Sequence, residues 1–351
     1  MDFTLSEDRR MLSDTLRRYL TDKYDIESRN KAAYAAPFHA PAKYTELAEL
    51  GVIGAFIAED QGGFGGAGFD ITTVFEELGR ALCAEPLLGT LLAVRLLAAL
   101  GKDDLVEELV AGSKRAAVAV FEPEAGERLS DIATRFADGK LNGRKSVVYG
   151  APGADFLLVA AQADGIIGLY LTDSAETIDY AMIDGGGAGE VLLDDTPAEC
   201  LAEDAGDVIA SALDAGRLAL CAEAVGAMDV LLATTIDYMK QRQQFGRPIA
   251  VFQALQHRII DVAIEVEQCR SITTLAASRL DDPAHCAKYV AMAKNLIGRT
   301  AIKCAEEAIQ LHGGIGMTWE YPGAHYAKRL TMIDHQLGDA AIQLQKVMAA
   351  A

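Results

Sequence analysis

Residues 251–269 read VFQALQHRIIDVAIEVEQC. The apolar side chains Phe252, Leu255, Ile259, Val262, Val266 and Cys269 recur in alternating steps of three and four. That repeat keeps them in one narrow stripe, as on a helix packing lengthwise against others in a bundle. The stretches on either side, Ile209 to Met239 and Ala287 to Leu311, carry similar apolar faces. The last third of the chain therefore reads as a helix bundle.

Working outward, the first 112 residues also have a helical rhythm. Apolar residues recur at Met11, Leu12, Leu16, Tyr19 and Leu20, then through YTELAELGV and ITTVFEELGRAL, with the glycine-rich loop EDQGGFGGAG between these two. From Arg115 to about Cys200 the character changes. Short apolar runs (AAVAV, FLLVAA, IIGLYLTD) are separated by turn chemistry (ADGKLNGRK, YGAPGAD, DGGGAGE), the pattern of a small antiparallel β region. The expected fold is α+β and mainly α: an N-terminal helical domain over 1–112, a middle β domain over 113–203 and a C-terminal bundle over 204–351. No internal repeat and no low-complexity segment interrupts this order.

The composition is that of a globular protein: 351 residues, 51% hydrophobic and 24% charged. A core of that size needs no staples. The cysteines, Cys83, Cys200, Cys221, Cys269, Cys286 and Cys304, are scattered with no C-x-x-C pair or finger spacing. They read as reduced core residues of a cytoplasmic protein, and no metal site is expected. The opening MDFTLSEDRR is polar and acidic, unlike a secretory signal, and Ser6 is placed as a helix cap. LLGTLLAVRLLAALG is too short to span a bilayer and carries Arg95, so no membrane insertion is expected.

The net charge of −19 argues against a nucleic-acid surface, which needs a concentrated basic face. It also makes one window conspicuous. From Lys240 to Ile260 the chain holds Lys240, Arg242, Arg247 and Arg258 and no acidic residue. Such a window in an acidic chain suggests an anionic partner.

Gly63-x-Gly65-x-x-Gly68 matches the dinucleotide fingerprint in letters only. The true motif follows a buried strand and has an acid about 20 residues on, whereas a helical segment follows here, so a plain loop is expected. RQQFGRPI (242–249) carries more information. An interhelical turn explains Gly246 as a stop and Pro248 as a block to continuation. It leaves Arg242, Gln244 and Phe245, with Gln253 and Gln256 beyond, around a corner without acids. A guanidinium fork, amides and an aromatic plate suit a pyrophosphate and a heteroaromatic ring. IQLHGGIGMT (309–318) offers the matching half. One glycine would cap a helix, but Gly313, Gly314 and Gly316 together let a bulky ligand approach the backbone closely.

At these motifs the chain resembles the acyl-CoA dehydrogenase family. MDFTLSEDRR, EDQGGFGGAG, FEPEAG, LNGRKSVVYGAPGADFLLVA, RQQFGRPIAVFQALQHRIIDVA and QLHGGIGMTWEYPGAHYAKRL fall in the family's order over nearly the whole chain. Overall it is most similar to small subunits of the pimeloyl-CoA dehydrogenase type, which pair with a larger homologous chain. The resemblance implies a helical domain, a β domain and a four-helix C-terminal bundle. It also implies FAD as cofactor and oxidation of an acyl-CoA thioester to its 2,3-enoyl form, with FAD lying across a subunit boundary. By the same resemblance, Arg242, Gln243 and Gln244 fall at the FAD diphosphate, and Gln253 at the glutamine after the turn, with Phe245 as the aromatic plate of the same cofactor corner. Gln310, Leu311, His312, Gly313 and Gly314 fall on the adenosine side. Asp214 and Arg217 match the family's substrate-side pair.

The pattern departs where the chemistry needs a base. Proton removal beside the thioester calls for a carboxylate in a desolvated pocket. The family's usual glutamate precedes a glycine after the bundle's last loop, and here Leu337 precedes Gly338; the alternative seat before Arg217 is Gly216. Asp334 and Asp339 are the nearby candidates, with Glu223 a third. Where the family covers its flavin with a tryptophan and a threonine, this chain has Val147 and Tyr149, and Phe121 replaces a threonine before Glu-Pro. Several β segments also look shortened. The joint losses lead to the expectation of a subunit of a heteromeric dehydrogenase, an α2β2 assembly, whose larger partner supplies base and flavin cradle. Two alternatives stand beside it: a homotetrameric dehydrogenase using Asp334 or Asp339, and a helical scaffold protein that has lost FAD.

Overall fold

The computed structural model describes residues 6–123 and 128–350. Parts of the MDFTLSEDRR and FEPEAG motifs lie outside the described residues. The chain forms an N-terminal helical region, a middle sheet and a C-terminal helical bundle. Its contacts divide into two compact units: residues 27–67 with 84–216, and residues 1–26 with 68–83 and 217–351.

The first of these units contains the sheet. In the helical region, α1 (Glu7–Lys23), α2 (Ile26–Ala33), α3 (Pro41–Glu49), α4 (Gly68–Arg80), α5 (Leu87–Ala99) and α6 (Asp103–Val110) come before it. Eight strands follow: β1 (Ala116–Ala119), β2 (Arg135–Ala137), β3 (Lys140–Tyr149), β4 (Phe156–Ala163), β5 (Ile166–Thr172), β6 (Glu176–Ala181), β7 (Gly187–Pro197) and β8 (Glu199–Ala202). The order is β6-β7-β3-β2-β4-β5-β8, with β1 on β4. Most pairs are antiparallel, as alternating runs and tight turns require. The departures are β1 with β4 and β2 with β4, which run parallel because longer connections join them. Leu141, Val148, Leu157, Val159, Tyr170 and Val191 fill the core of the sheet.

Helix α5 is buried along almost its whole length and packs on β1. Its one charge is used: Arg95 Nη1 donates to the carbonyls of Phe56 (3.1 Å) and Gly66 (2.9 Å). The Gly63 to Gly66 loop is thereby closed onto its own backbone. Phe64, Gly65 and Gly66 N–H groups bond to Gly54, Ile57 and Ala55. A loop whose amides are spent internally is no phosphate cradle. Lys145, with no exposed side-chain surface, pairs with Glu122 at 2.7 Å. Burial opposes the charge of Glu122, and hydrogen bonds from Lys145, Thr134 and Ala133 outweigh it, holding the carboxyl below its usual range.

The second unit is built on α7 (Gly206–Gln241) from Arg217 onward, α8 (Gln253–Ala277), α9 (Cys286–His312), α10 (Pro322–His335) and α11 (Ala340–Ala349), with α1 and α4. Helix α11 is a fifth C-terminal helix beyond the four of the bundle. Ser6 caps α1 through the Arg9 amide. Helix α4 crosses α7 closely: a Cβ on Gly79 would come within 2.0 Å of the Glu223 carbonyl, and one on Gly226 within 2.0 Å of that of Glu76. Only glycine permits such an approach. Around the crossing, Arg80 and Arg270 each bridge Glu76 and Asp229.

The α8 stripe turns inward at Val262, Val266 and Cys269, while Ile260 and Ile264, on the other side, are each 53% exposed. Helix α7 is long and apolar enough to cross a membrane, but 67% of its most apolar window is buried inside the protein. All six cysteines are free. Cys221, Cys269 and Cys304 are core residues, their thiols pushed up to about 12, 11 and 12 by burial; Cys83 and Cys286 are only half-buried and Cys200, on β8, is exposed, so the core expectation fails there.

Candidate functional site

Helix α7 ends at Gln241, five residues before the glycine expected to stop it. A minimal hairpin follows, β9 (Gln243–Gln244) with β10 (Arg247–Pro248), pairing Gln244 with Arg247. Its two tip residues, Phe245 and Gly246, both have positive φ, 53° and 77°. Two left-handed tip residues match the twist of a two-residue hairpin. A phenylalanine in that conformation is unusual and marks a constrained position. Phe245 is 89% exposed and meets Phe252 edge-on, while the Arg247 guanidinium lies 4.7 Å over the Phe252 ring. The corner thus presents Arg242, Gln243, Gln244, Phe245 and Gln253, all exposed. Among the described residues, Arg258 pairs with Glu307 at 2.7 Å, whereas the Arg242 guanidinium makes neither ion pair nor hydrogen bond.

The three glycines after α9 have three different jobs. Gly313 ends the helix with φ 67° and ψ −147°, a conformation open to glycine, and its amide bonds to Ile309. Gly316 is pressed against His312 and Ile309, where a Cβ would meet the His312 Cβ at 3.0 Å. Gly314 is exposed, and a Cβ on it, as on Gly313, would meet nothing within 4 Å. Of the preceding residues Gln310 is exposed, while the Leu311 and His312 side chains are buried. Those two can serve a ligand only through backbone or by holding the turn.

Tyr238 joins the two halves. Its hydroxyl donates to the His312 carbonyl (3.2 Å), its ring lies 4.4 Å from the His312 ring, and its own carbonyl accepts from the Arg242 amide (2.8 Å). His312 Nδ1 donates to the Ala308 carbonyl (2.8 Å), which leaves Nε2 to accept from the Tyr321 hydroxyl. Burial lowers the His312 pKa and so keeps the ring neutral, while the same effect pushes Tyr321 up to about 12. Sequence reasoning passed over Tyr238 and Tyr321. The available signal was Tyr238 standing one helical turn before Arg242.

The turn where a base was sought is built differently. Leu337 is buried with φ 54°, and its carbonyl accepts from Arg217 Nε (2.8 Å) and Gln343 Nε2 (3.1 Å). Buried Lys294 donates to the carbonyls of Ile333, Asp334 and Gly338, each at 2.9 Å. Asp334 is buried, accepts from the Ala340 amide (3.0 Å), and lies against Gly298. Asp339 caps α11 through the Ile342 amide (2.8 Å). Both aspartates thus serve the start of one helix. Glu223 is held by Arg329 in a two-point pair (2.5 and 2.6 Å), and so is structural. On the substrate-side pair, Arg217 is buried while Asp214, one turn earlier on α7, is half-buried.

Val147 is partly exposed with φ 51°, at a bulge in β3, and Tyr149 and Phe121 are half-buried. Glu190 pins this stretch by accepting from Ser146, the Val147 amide, Tyr180 and Arg144. Among the described residues no cluster of three or more His, Cys, Asp or Glu is placed to hold a metal ion. The chemistry of the α7–α9 corner, an unengaged guanidinium, exposed amides and open glycine backbone, fits a phosphate-bearing cofactor.

Residues 6–113 match the N-terminal domain of acyl-CoA dehydrogenases and residues 204–351 the C-terminal domain. Acyl-CoA dehydrogenase IpdE2 of Mycolicibacterium smegmatis is 30% identical over 348 residues, 98% of this chain and 99% of that protein. A variant of the Tcur3481–Tcur3483 steroid ACAD superposes with a TM-score of 0.90 at 30% identity, covering 99% of this chain and 98% of that one. The ChsE4–ChsE5 complex from Mycobacterium tuberculosis does so with 0.90 at 25%, with the same coverage. The chain belongs to the acyl-CoA dehydrogenase family.

Proposed function

We propose that this chain is the small subunit of a heteromeric, FAD-dependent acyl-CoA dehydrogenase of the cytoplasm, paired with a larger homologous chain. The observation that carries the reading is a contrast within one unit: a corner of unengaged polar groups tied together by Tyr238, and a buried leucine where a base would stand. Two similar solved structures are named as pairs of chains, which supports the assembly. The regions 1–112, 113–203 and 204–351 correspond on this reading to the family's three domains.

When bound, FAD supplies the hydride acceptor for α,β-dehydrogenation of an acyl-CoA thioester. Arg242 neutralises diphosphate charge, and the fork of its guanidinium gives the contact direction. Gln243, Gln244 and Gln253 orient the group by amide hydrogen bonds, with Phe245 flanking it. Gln310 and the backbone through Gly314 receive the adenosine side. Asp214 and Arg217 hold the family's substrate-side positions, Arg217 from a buried seat where its Nε serves the Leu337 carbonyl, and the partner provides the base.

The test is purification of the chain alone and with its co-expressed larger partner, followed by flavin absorbance and bleaching on addition of acyl-CoA. Flavin and bleaching only in the pair support the reading. A lone chain that binds FAD stoichiometrically and is bleached returns the base to Asp334 or Asp339 in a homotetramer. No flavin in either preparation leaves the scaffold role.

A further inference from the structure

The eight residues between His312 and Tyr321 form a short 3-10 helix, Gly313–Met317, and a turn, exposed except at Gly316; the hydrogen bond between the His312 and Tyr321 side chains closes the neck of this segment. Ile315, Met317 and Trp319 on this segment are 47%, 73% and 51% exposed. Its far end is held by His325 Nε2 against the Trp319 carbonyl (2.8 Å) and by Lys328 over the Trp319 ring, and the neck fixes the glycine end. His312 sits between two rings, Tyr238 at 4.4 Å and Tyr321 at 4.7 Å, and every polar atom of its side chain is bonded. Tyr238 holds one end of each half-site at once: its hydroxyl binds the His312 carbonyl, next to Gly313, and its carbonyl binds the Arg242 amide.

We propose that Tyr238, His312 and Tyr321 form a positioning unit that sets the separation between the Arg242 guanidinium and the Gly313–Gly314 backbone, and thereby the affinity for FAD. This rests on the reading of the corner as the FAD diphosphate and adenosine site. None of the three side chains need touch the cofactor. They act by removing the freedom of a glycine turn, which would otherwise be lost on binding at a cost in affinity. The tautomer is part of the device, because Nε2 can accept from Tyr321 only while Nδ1 carries the proton to Ala308.

The experiment titrates FAD into the apo-assembly formed by the full chain and its co-expressed partner, following flavin fluorescence, and measures the melting temperature of each apo-assembly. Tyr238→Phe and Tyr321→Phe keep the rings and delete one hydrogen bond each. Each is expected to weaken FAD binding about 3- to 10-fold, with the apo melting temperature within about 2 °C of the parent. The double variant is expected to lose less than the product of the two, because both act through His312. Unchanged FAD affinity in both variants, with Arg242→Ala weakened, overturns the positioning role while leaving the corner intact. FAD loss that only follows a fall in melting temperature also overturns it. An Arg242→Ala assembly that binds FAD normally overturns the reading of the corner itself.

Discussion

The α7–α9 corner and the α10–α11 turn belong to the same unit and meet opposite fates. In the turn, Lys294, Arg217 and Gln343 satisfy one buried carbonyl after another, and Asp334 and Asp339 satisfy the amides that open α11. At the corner, Arg242 and the neighbouring amides extend into solvent, and two glycines leave room beside them. Buried polar groups are bonded because leaving them unmade is costly. The turn is finished by its own chain but for the buried Gln343 Oε1, whereas the corner is finished only by a ligand. Function is therefore sought at the corner, and stability at the turn.

Four experiments sharpen or break this contrast. Lys294→Met strips the donors from three buried carbonyls and is expected to cost about 3–5 kcal/mol in denaturant unfolding; a loss below about 1 kcal/mol would show that the turn is not locked as described. Arg242→Ala should do the reverse. Its FAD affinity is expected to fall on the order of 100-fold by titration, through loss of charge-assisted hydrogen bonds, with unfolding unchanged. Asp334→Ala and Asp339→Ala should each cost about 1 kcal/mol as lost caps, while turnover of the assembled enzyme stays within about 2-fold. Collapse of turnover at retained stability would make the aspartate a base after all.

One effect outside the bundle is a background against which acid effects at the corner are read. His39, in the sheet-containing unit, is held down at about 4 by burial and by Arg115, whose Nη1 lies 2.8 Å from its Nε2. As pH falls below about 6.5 the unfolded chain takes up a proton there and the folded chain does not until about pH 4. Stability should decline across that window, and His39→Gln should flatten the decline. An unaltered pH profile would assign the acid sensitivity elsewhere.

The bundle was legible because the steps at Phe252, Leu255, Ile259, Val262, Val266 and Cys269 record what each residue packs against. The second apolar side of α8 at Ile260 and Ile264 was hidden by the same stripe, since one period does not exclude another face. The hairpin after Gln241 was read as a plain turn because two-residue strands leave no alternating pattern. The parallel pairing of β1 with β4 depends on connection length, which local runs do not encode. At the site, Arg242 and the glycines were visible as residue types without internal partners. Tyr238 and His312 were not seen to meet because 74 residues separate them, and Lys294 gave no sign that its ammonium would be enclosed. Contacts of that range arise from the folded backbone and leave no local trace.

Tyr238 and Arg242 are one helical turn apart, joined by a backbone hydrogen bond at the end of α7. A helix advances about 1.5 Å and rotates about 100° per residue. One alanine inserted after Tyr238 would swing Arg242 toward another quarter while leaving every residue type in place. In this corner the phasing of the chain, as much as its chemistry, is the inherited quantity, and an insertion there should be tolerated by the bundle but not by the cofactor.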